Sequence, residues 1–420
     1  MFDGNDKNIG DECPVPEGFV FNISSGEPWC TITPDLNNPE DASALLFHAA
    51  DYAPSQVPRR IDNQPWILET QESPITASFR TNEGLMEPFD FLASYHLKSD
   101  FLFTYFSPYV YEVANRPLPD DFMKKKTTRA PILWIAKNCY ATSGRQTYVA
   151  ELMKYIKVDS YGPCLNNMEF TENLTRTDLM AEYKFYLAIE NANCDDYVTE
   201  KLFDTLVLST VPIVDGPDSY DSFLPNSKAG IRMDKYPDPR DLAAYIDYLD
   251  KNDTAYLEHL SHQRDAQTLP AKERLSPAFI DNWRDYGLHT NRSDWCSVCR
   301  GVAPIWRGRV EPYYTYVPAV ERKDRFLIDR SCNKPGKWDY ASSGPPYIAP
   351  WAQVPHEGVD SVQLGGDSTH GEVVGDQVWS ILSIWKLEIV ICVLFLSFIA
   401  SMLYKRHMFI CLQQRSSLPK

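Results

Sequence analysis

The segment that most restricts how this chain can fold is FYLAIENANCDDYVTEKLFDTLVLSTVPIVDGP, from Phe185 to Pro217. Phe185–Ile189 is an apolar run of strand length. Val198, Leu202, Phe203, Leu206 and Val207 then recur at helical spacing, and Val211–Val214 is a second apolar run. A buried strand, a polar turn, an amphipathic helix and another buried strand are the parts of a parallel βαβ unit. The neighbouring sequence continues the alternation. A strand (Ile132–Ala136), a helix (Arg145–Tyr155) and a strand (Ile156–Val158) come before it, and a helix (Arg240–Asp250) comes after. The pattern predicts an α/β protein with a parallel sheet, whose ligands collect at the carboxyl ends of the strands.

The polar residues of the segment cluster where such a ligand would lie. Thr199 is placed to cap the helix, whose first amides and positive dipole end suit phosphate. Lys201 adds a cation beside them. The Glu200 carboxylate can accept from ribose or sugar hydroxyls, and Glu190 and Asn191 leave the strand end into the same crevice. The residues alone predict a nucleotide-diphosphate pocket, with a capped helix that binds nothing as the plainer alternative.

Composition narrows the partners. A formal net charge of −16 argues against non-specific nucleic-acid binding, which needs Lys and Arg against phosphates. Ten cysteines without repeated metal-ligand spacing suit an oxidising compartment. The sequons at Asn22, Asn173, Asn252 and Asn291 are candidate glycosylation sites that point the same way.

Near the C-terminus, Ile389–Tyr404 reads IVICVLFLSFIASMLY; extended back to Val378, it reaches the length needed to cross about 30 Å of hydrocarbon. Lys386 and Glu388 interrupt the extension, so Lys386 has to snorkel or pair. Lys405, Arg406 and His407 follow, which predicts a cytosolic C-terminus and a lumenal body. The opening MFDGNDKNIG has no basic or apolar leader character. The expectation is that an earlier start or a signal absent from this sequence delivers the body to the lumen.

Along the chain, residues 1–40 read as a stem or lead-in anchored at Trp29 and Cys30, and residues 41–123 as a small α/β domain. The run Lys124–Lys126 reads as an interdomain linker or, equally, a solvated basic loop. Residues 124–285 carry the βαβ alternation, 286–341 form a C-terminal segment, and 342–377 a Gly/Pro/Ser-rich spacer. A transmembrane helix over 378–404 and a tail over 405–420 complete the layout.

The central segment resembles the signature of the α-1,3-fucosyltransferases, glycosyltransferase family 10. The matching residues are Phe185–Leu187, Glu190–Asn191, Asp196–Lys201, Val211–Val214 and Gly216–Pro217. The resemblance extends upstream through Asn138-Cys139, Arg145, Tyr148–Leu152 and Val158–Gly162, and downstream to Asp294–Cys299. It also takes in Glu72-Ser73-Pro74, Ser94-Tyr95 and Ser99-Asp100, and covers roughly Trp66–Arg300. One departure stands out: the family usually has an acidic residue before Ser-Asp, where this chain has Lys98.

The resemblance implies a GT-B architecture, two facing Rossmann-like domains, with residues 41–123 binding the acceptor and 124–285 the GDP-fucose donor. It implies inverting transfer of L-fucose from GDP-β-L-fucose to a GlcNAc hydroxyl of a glycoprotein glycan. Such a reaction needs a base for the acceptor but no acid for GDP, and no obligatory metal. Glu72 is the implied base, Arg145 and Lys201 the pyrophosphate ligands, and Tyr197, Glu200 and Asn191 the groups on donor sugar and ribose, with Glu190 a weaker candidate. The implied location is the Golgi membrane, catalytic domain lumenal. The rival readings are a transferase of the same architecture using another sugar nucleotide, and a membrane-anchored glycan-binding scaffold.

The Cys296-Ser297-Val298-Cys299 pair lacks the second pair that a structural zinc site requires, so disulfides are the expectation. The resemblance suggests that they tie the C-terminal segment to the N-terminal domain, with Cys13 and Cys30 as partners. Cys139 and Cys164 are a further candidate pair. Cys194, inside the donor loop, is expected to be structural.

Overall fold

The computed structural model describes residues 7–8, 13–15, 29–339 apart from 35–36, 62–63, 77–81, 127–129, 172–174, 290–293 and 307–330, and the strand 410–413. Two sheets organise them. The first contains β1 (Lys7–Asn8), β2 (Thr31–Thr33), β3 (Ala44–His48), β4 (Trp66–Thr70), β5 (Phe91–Ser94) and β6 (Phe101–Leu102). The second contains β7 (Ile132–Ile135), β8 (Val158–Tyr161), β9 (Phe185–Ile189), β10 (Val211–Asp215) and β11 (Ile231–Arg232). A last strand, β12 (Ile410–Gln413), inserts antiparallel between β2 and β3, and β3 to β6 run parallel.

The second sheet is parallel throughout, in the order β11-β10-β9-β7-β8. Counted from β7 this is a doubly wound order, and its direction of winding reverses between β7 and β9. β9 and β10 are buried on both sides, hence their apolar runs. Phe185, Leu187 and Ile189 of β9 pack on one face with α3 (Arg145–Leu152) and α6 (Pro239–Asp250). Tyr186 and Ala188 pack on the other with α2 (Val110–Asn115), α4 (Arg176–Glu182) and α5 (Glu200–Leu208). The short α1 (Glu83–Met86) buries Met86 against the first sheet.

Several elements depart from the sequence reading. The strand expected at Ile156–Val158 runs instead over Val158–Tyr161, because its buried Asp159 and Ser160 find partners outside the strand. Tyr183 donates to Asp159 at 2.7 Å and Ser160 to the Cys164 carbonyl at 2.9 Å. Beyond the two-residue strand β6, Phe106 packs on Trp283 and Phe223 at the second sheet. Helix α4 has no apolar stripe long enough to mark it, and is announced only by the capping box of Thr175 and Asp178.

The lead-in is no detached stem, since β1 and β2 belong to the first sheet and Cys13 and Cys30 are bonded into the body. Of the run Lys124–Lys126, Lys124 and Lys125 are exposed, but Lys126 is buried and its ammonium donates to the Tyr183 carbonyl and the Thr210 hydroxyl at 3.0 and 2.8 Å. The segment expected over 286–341 divides in two. The helix Asp294–Trp306 returns to the first sheet, with Val298 and Val302 beside Ile67 and Phe91. Ser331–Asp339 goes to the second sheet instead.

The stretch 342–409, with the expected spacer and the expected span 378–404, lies outside the described residues. Among the described residues no helix is long and apolar enough to cross a membrane. The expected cytosolic tail is corrected at its one described stretch. As strand β12, Ile410–Gln413 is part of the same folded body as β2 and β3, not across a bilayer from it.

Candidate functional site

The carboxyl ends of β7 and β9 meet where the second sheet reverses its winding, the position at which a doubly wound sheet opens a crevice. Arg145, the first residue of α3, sits there. Its buried guanidinium donates to the Ile189 carbonyl at 2.5 Å and the Asn138 carbonyl at 3.4 Å, joining the two strand ends. Burial lowers its pKa, partly opposed by Glu190. Its Nε has no hydrogen-bond partner among the described residues, nor has Asn191 Oδ1, also buried. One donor and one acceptor are thus left over at the crevice floor, where buried polar atoms are ordinarily paired.

Glu190 follows β9, and its carboxylate turns inward. It accepts from the Thr199 amide and hydroxyl at 2.9 and 2.8 Å and from Lys201 Nζ at 3.0 Å. Thr199 in turn caps α5. The oxygens that the sequence reading offered to a ligand are therefore spent on the loop, and Glu190 acts as a staple between strand end and helix start. Lys201 also reaches Thr199 Oγ1 at 2.7 Å and Glu200 at 3.3 Å. Burial alone would lower its pKa, but Glu190 and Glu200 outweigh it, so Lys201 is held charged above its ordinary value. Burial would raise Glu200, and Lys201 reverses that, leaving an ionised carboxylate beside the ammonium.

The loop 190–199 also reaches the first sheet. Tyr197 donates to Glu72 Oε2 at 3.4 Å, and its ring meets Tyr95 edge-on with centroids 5.0 Å apart. Glu72 is exposed, on the turn that leaves β4, with its amide held by the Thr70 hydroxyl at 3.1 Å. Tyr105 fixes the same turn by donating to the Gln71 carbonyl at 2.7 Å. Its hydroxyl is pushed far above the ordinary range by burial and then by Glu72.

Asp196 takes a left-handed backbone, φ 56°, and accepts from the Leu97 amide at 3.1 Å beside His96 Nε2 at 3.2 Å. Burial pushes its carboxyl up to about 6. Lys98 lies next to this contact, at the position where the family's acidic residue is missing. Ser94, Ser99 and Asp100 are internal: the two hydroxyls bond at 2.5 Å, and Asp100 accepts from the Leu92 amide at 2.9 Å.

The structure thus gathers Arg145, Glu190, Asn191, Tyr197, Glu200 and Lys201 around one loop and brings Glu72 to it. Sequence reasoning missed Tyr105, whose apolar neighbours hid a working hydroxyl, and His96, which no motif marked. It also missed Asp215, which lies inside the quoted segment. Of the cysteines, Cys13 is bonded to Cys296, Cys30 to Cys299 and Cys139 to Cys164. Cys194 is bonded to Cys332, a partner the sequence did not suggest. Asn252 caps a short helix through its side chain; Asn22, Asn173 and Asn291 lie outside the described residues. Among the described residues, no three His, Cys, Asp or Glu side chains group to hold a metal ion.

The family model for glycosyltransferase family 10 (fucosyltransferase), C-terminal part, matches residues 123–307, and the fucosyltransferase N-terminal model matches residues 17–106. Among curated relatives, GDP-fucose protein O-fucosyltransferase 3 of Xenopus laevis is 35% identical over 62% of this chain and 59% of its own. The Gallus gallus protein of the same name is 31% identical over 76% of this chain and 70% of its own. The chain spans 49% of the length of the Xenopus tropicalis protein of that name and 71% of the Danio rerio one. A solved α1,3-fucosyltransferase with GDP-fucose is 19% identical, over 61% of this chain and 78% of that one, at a TM-score of 0.41.

Proposed function

The chain belongs to glycosyltransferase family 10, the fucosyltransferases, and from that premise we propose that it transfers L-fucose from GDP-β-L-fucose to a protein hydroxyl with inversion. The observation that carries the reading is the contact of Tyr197 with Glu72, which brings a carboxylate of the first sheet to the donor loop of the second. The two sheets are taken as the facing halves of a GT-B enzyme.

In this reading the pyrophosphate lies against the start of α5, with Lys201 and the free Arg145 Nε as its donors, and Asn191, Tyr197 and Glu200 face sugar and ribose. Fixed donors and a helix start stabilise the charge that builds on the departing phosphate. Glu72 takes the proton of the acceptor hydroxyl, and the hydroxyl oxygen attacks the anomeric carbon of fucose. The bond from that carbon to the β-phosphate oxygen breaks, and GDP leaves with the electron pair. The β-linked donor gives an α-fucoside.

The acceptor is revised from the sequence expectation. A GlcNAc hydroxyl was implied by the family signature; the names of the two relatives favour a Ser or Thr hydroxyl of a polypeptide. Four disulfides support work in an oxidising compartment of the secretory pathway. A lumenal Golgi placement is proposed on the same ground, without a span over 378–404, since β12 beyond that stretch pairs within the first sheet.

The test supplies the purified chain with GDP-fucose and either unglycosylated secreted polypeptides or defined N-glycans, with product linkage mapped by mass spectrometry. Fucose O-linked to Ser or Thr is expected. Fucose on GlcNAc alone would overturn the acceptor, and no GDP release with any acceptor would overturn the transfer itself.

A further inference from the structure

The segment Ser331–Asp339 lies beyond residue 307, where the family model stops, yet it is bonded to both loops of the donor crevice. Cys332 is joined to Cys194, the Asn333 amide donates to the Asn193 carbonyl at 2.7 Å, and the Asp195 amide donates to the Ser331 carbonyl. Four residues on, the Gly336 and Trp338 amides donate to the carbonyls of Thr142 and Ser143 at 2.7 and 3.1 Å. The first set holds the loop that carries Asn191 and Tyr197. The second holds the turn that leads into Arg145.

Asp215, at the end of β10, anchors the segment. Its buried carboxylate accepts from Lys337 Nζ at 2.6 Å, Trp338 Nε1 at 2.8 Å and Asn193 Nδ2 at 2.8 Å. A carboxylate buried in this way needs such donors, and removing one leaves it short of compensation. The Trp338 ring packs on Tyr148 of α3, centroids 4.7 Å apart. Asp339 closes over Gly144, where φ is +75° and an added Cβ would lie 2.5 Å from the Asp339 carboxylate. Only glycine fits there.

We infer that Ser331–Asp339 is a strap that presets the donor crevice, with Asp215 as its anchor and Lys337 and Trp338 as positioning residues for donor binding. The strap fixes the 141–145 turn against the 190–196 loop before any nucleotide arrives, so the ordering cost of these loops is met by folding and not by binding. The inference rests on the GDP-fucose reading only for the identity of the ligand.

The test compares Lys337→Met with Lys337→Arg in the full chain, by GDP titration calorimetry, steady-state kinetics and hydrogen exchange. Lys337→Met should weaken GDP binding and raise the donor KM about tenfold, with kcat and acceptor KM nearly unchanged, and Lys337→Arg should restore most of it. Exchange should rise in 141–145 and 190–199 and stay constant in β3 to β5. Unchanged donor KM with unchanged loop exchange overturns the strap. A rise in exchange across the whole second sheet also overturns it, in favour of general destabilisation. If the wild-type chain binds no GDP, the donor reading falls while the exchange comparison still decides the strap.

Discussion

At the scale of single residues, the site depends on charges kept where water is scarce, and Lys126 shows the same physics away from the site. Burial brings its pKa down to about 7, so the folded state holds fewer protons than the unfolded chain between that value and the ordinary lysine range. Stability must then rise with pH across the window, by up to about 1.4 kcal/mol per unit. The difference in unfolding free energy between wild type and Lys126→Met should shift toward the wild type from pH 7 to 9. A difference flat with pH would mean that the ammonium titrates normally. Lys201 behaves oppositely because Glu190 and Glu200 are beside it. Their partners, a carboxylate 11 residues away for Lys201 and a hydroxyl 84 residues away for Lys126, separate the two lysines.

At the scale of elements, the join between β9 and α5 concentrates the most work in the fewest residues. Thr199 caps the helix while its hydroxyl satisfies Glu190. Thr199→Val should cost about 1.5–5 kcal/mol, the sum of a lost cap and a buried carboxylate left one donor short. Urea denaturation should show it, with Thr199→Ser recovering most; an unchanged midpoint would deny the staple. This join was legible in the sequence because its strand, cap and apolar stripe are all local, and β9 begins and ends where the apolar run does. β8 was misplaced because Asp159 and Ser160 are polar yet buried, a condition met by Tyr183 and the Cys164 carbonyl from outside the strand. Short-range pattern carries no trace of such partners.

At the scale of the whole molecule, the chain closes on itself twice. The helix Asp294–Trp306 docks on the first sheet through Cys13–Cys296 and Cys30–Cys299, whose members are 283 and 269 residues apart. Replacing Cys296 and Cys299 by serine should destabilise by about 2–5 kcal/mol for each bond lost. Limited proteolysis should then open the first sheet before the second; equal protection of the two would contradict that role. The strap makes the second closure, at the donor crevice. The site residues were legible one by one from the family signature, but not their arrangement. That Glu190 is spent inside the loop follows from its bonds to Thr199 and Lys201 across the β9–α5 join, and that Tyr197 reaches Glu72 follows from how the two sheets meet.

That meeting is the centre of the account, and Glu72→Gln tests it most directly. The substitution keeps the size of the side chain and the contact with Tyr197 but removes the base. GDP binding measured by calorimetry should stay within about twofold, while fucosyl transfer from GDP-fucose should fall by about 10²–10⁴, the range a positioned general base contributes. Transfer at the wild-type rate with donor binding intact would contradict it.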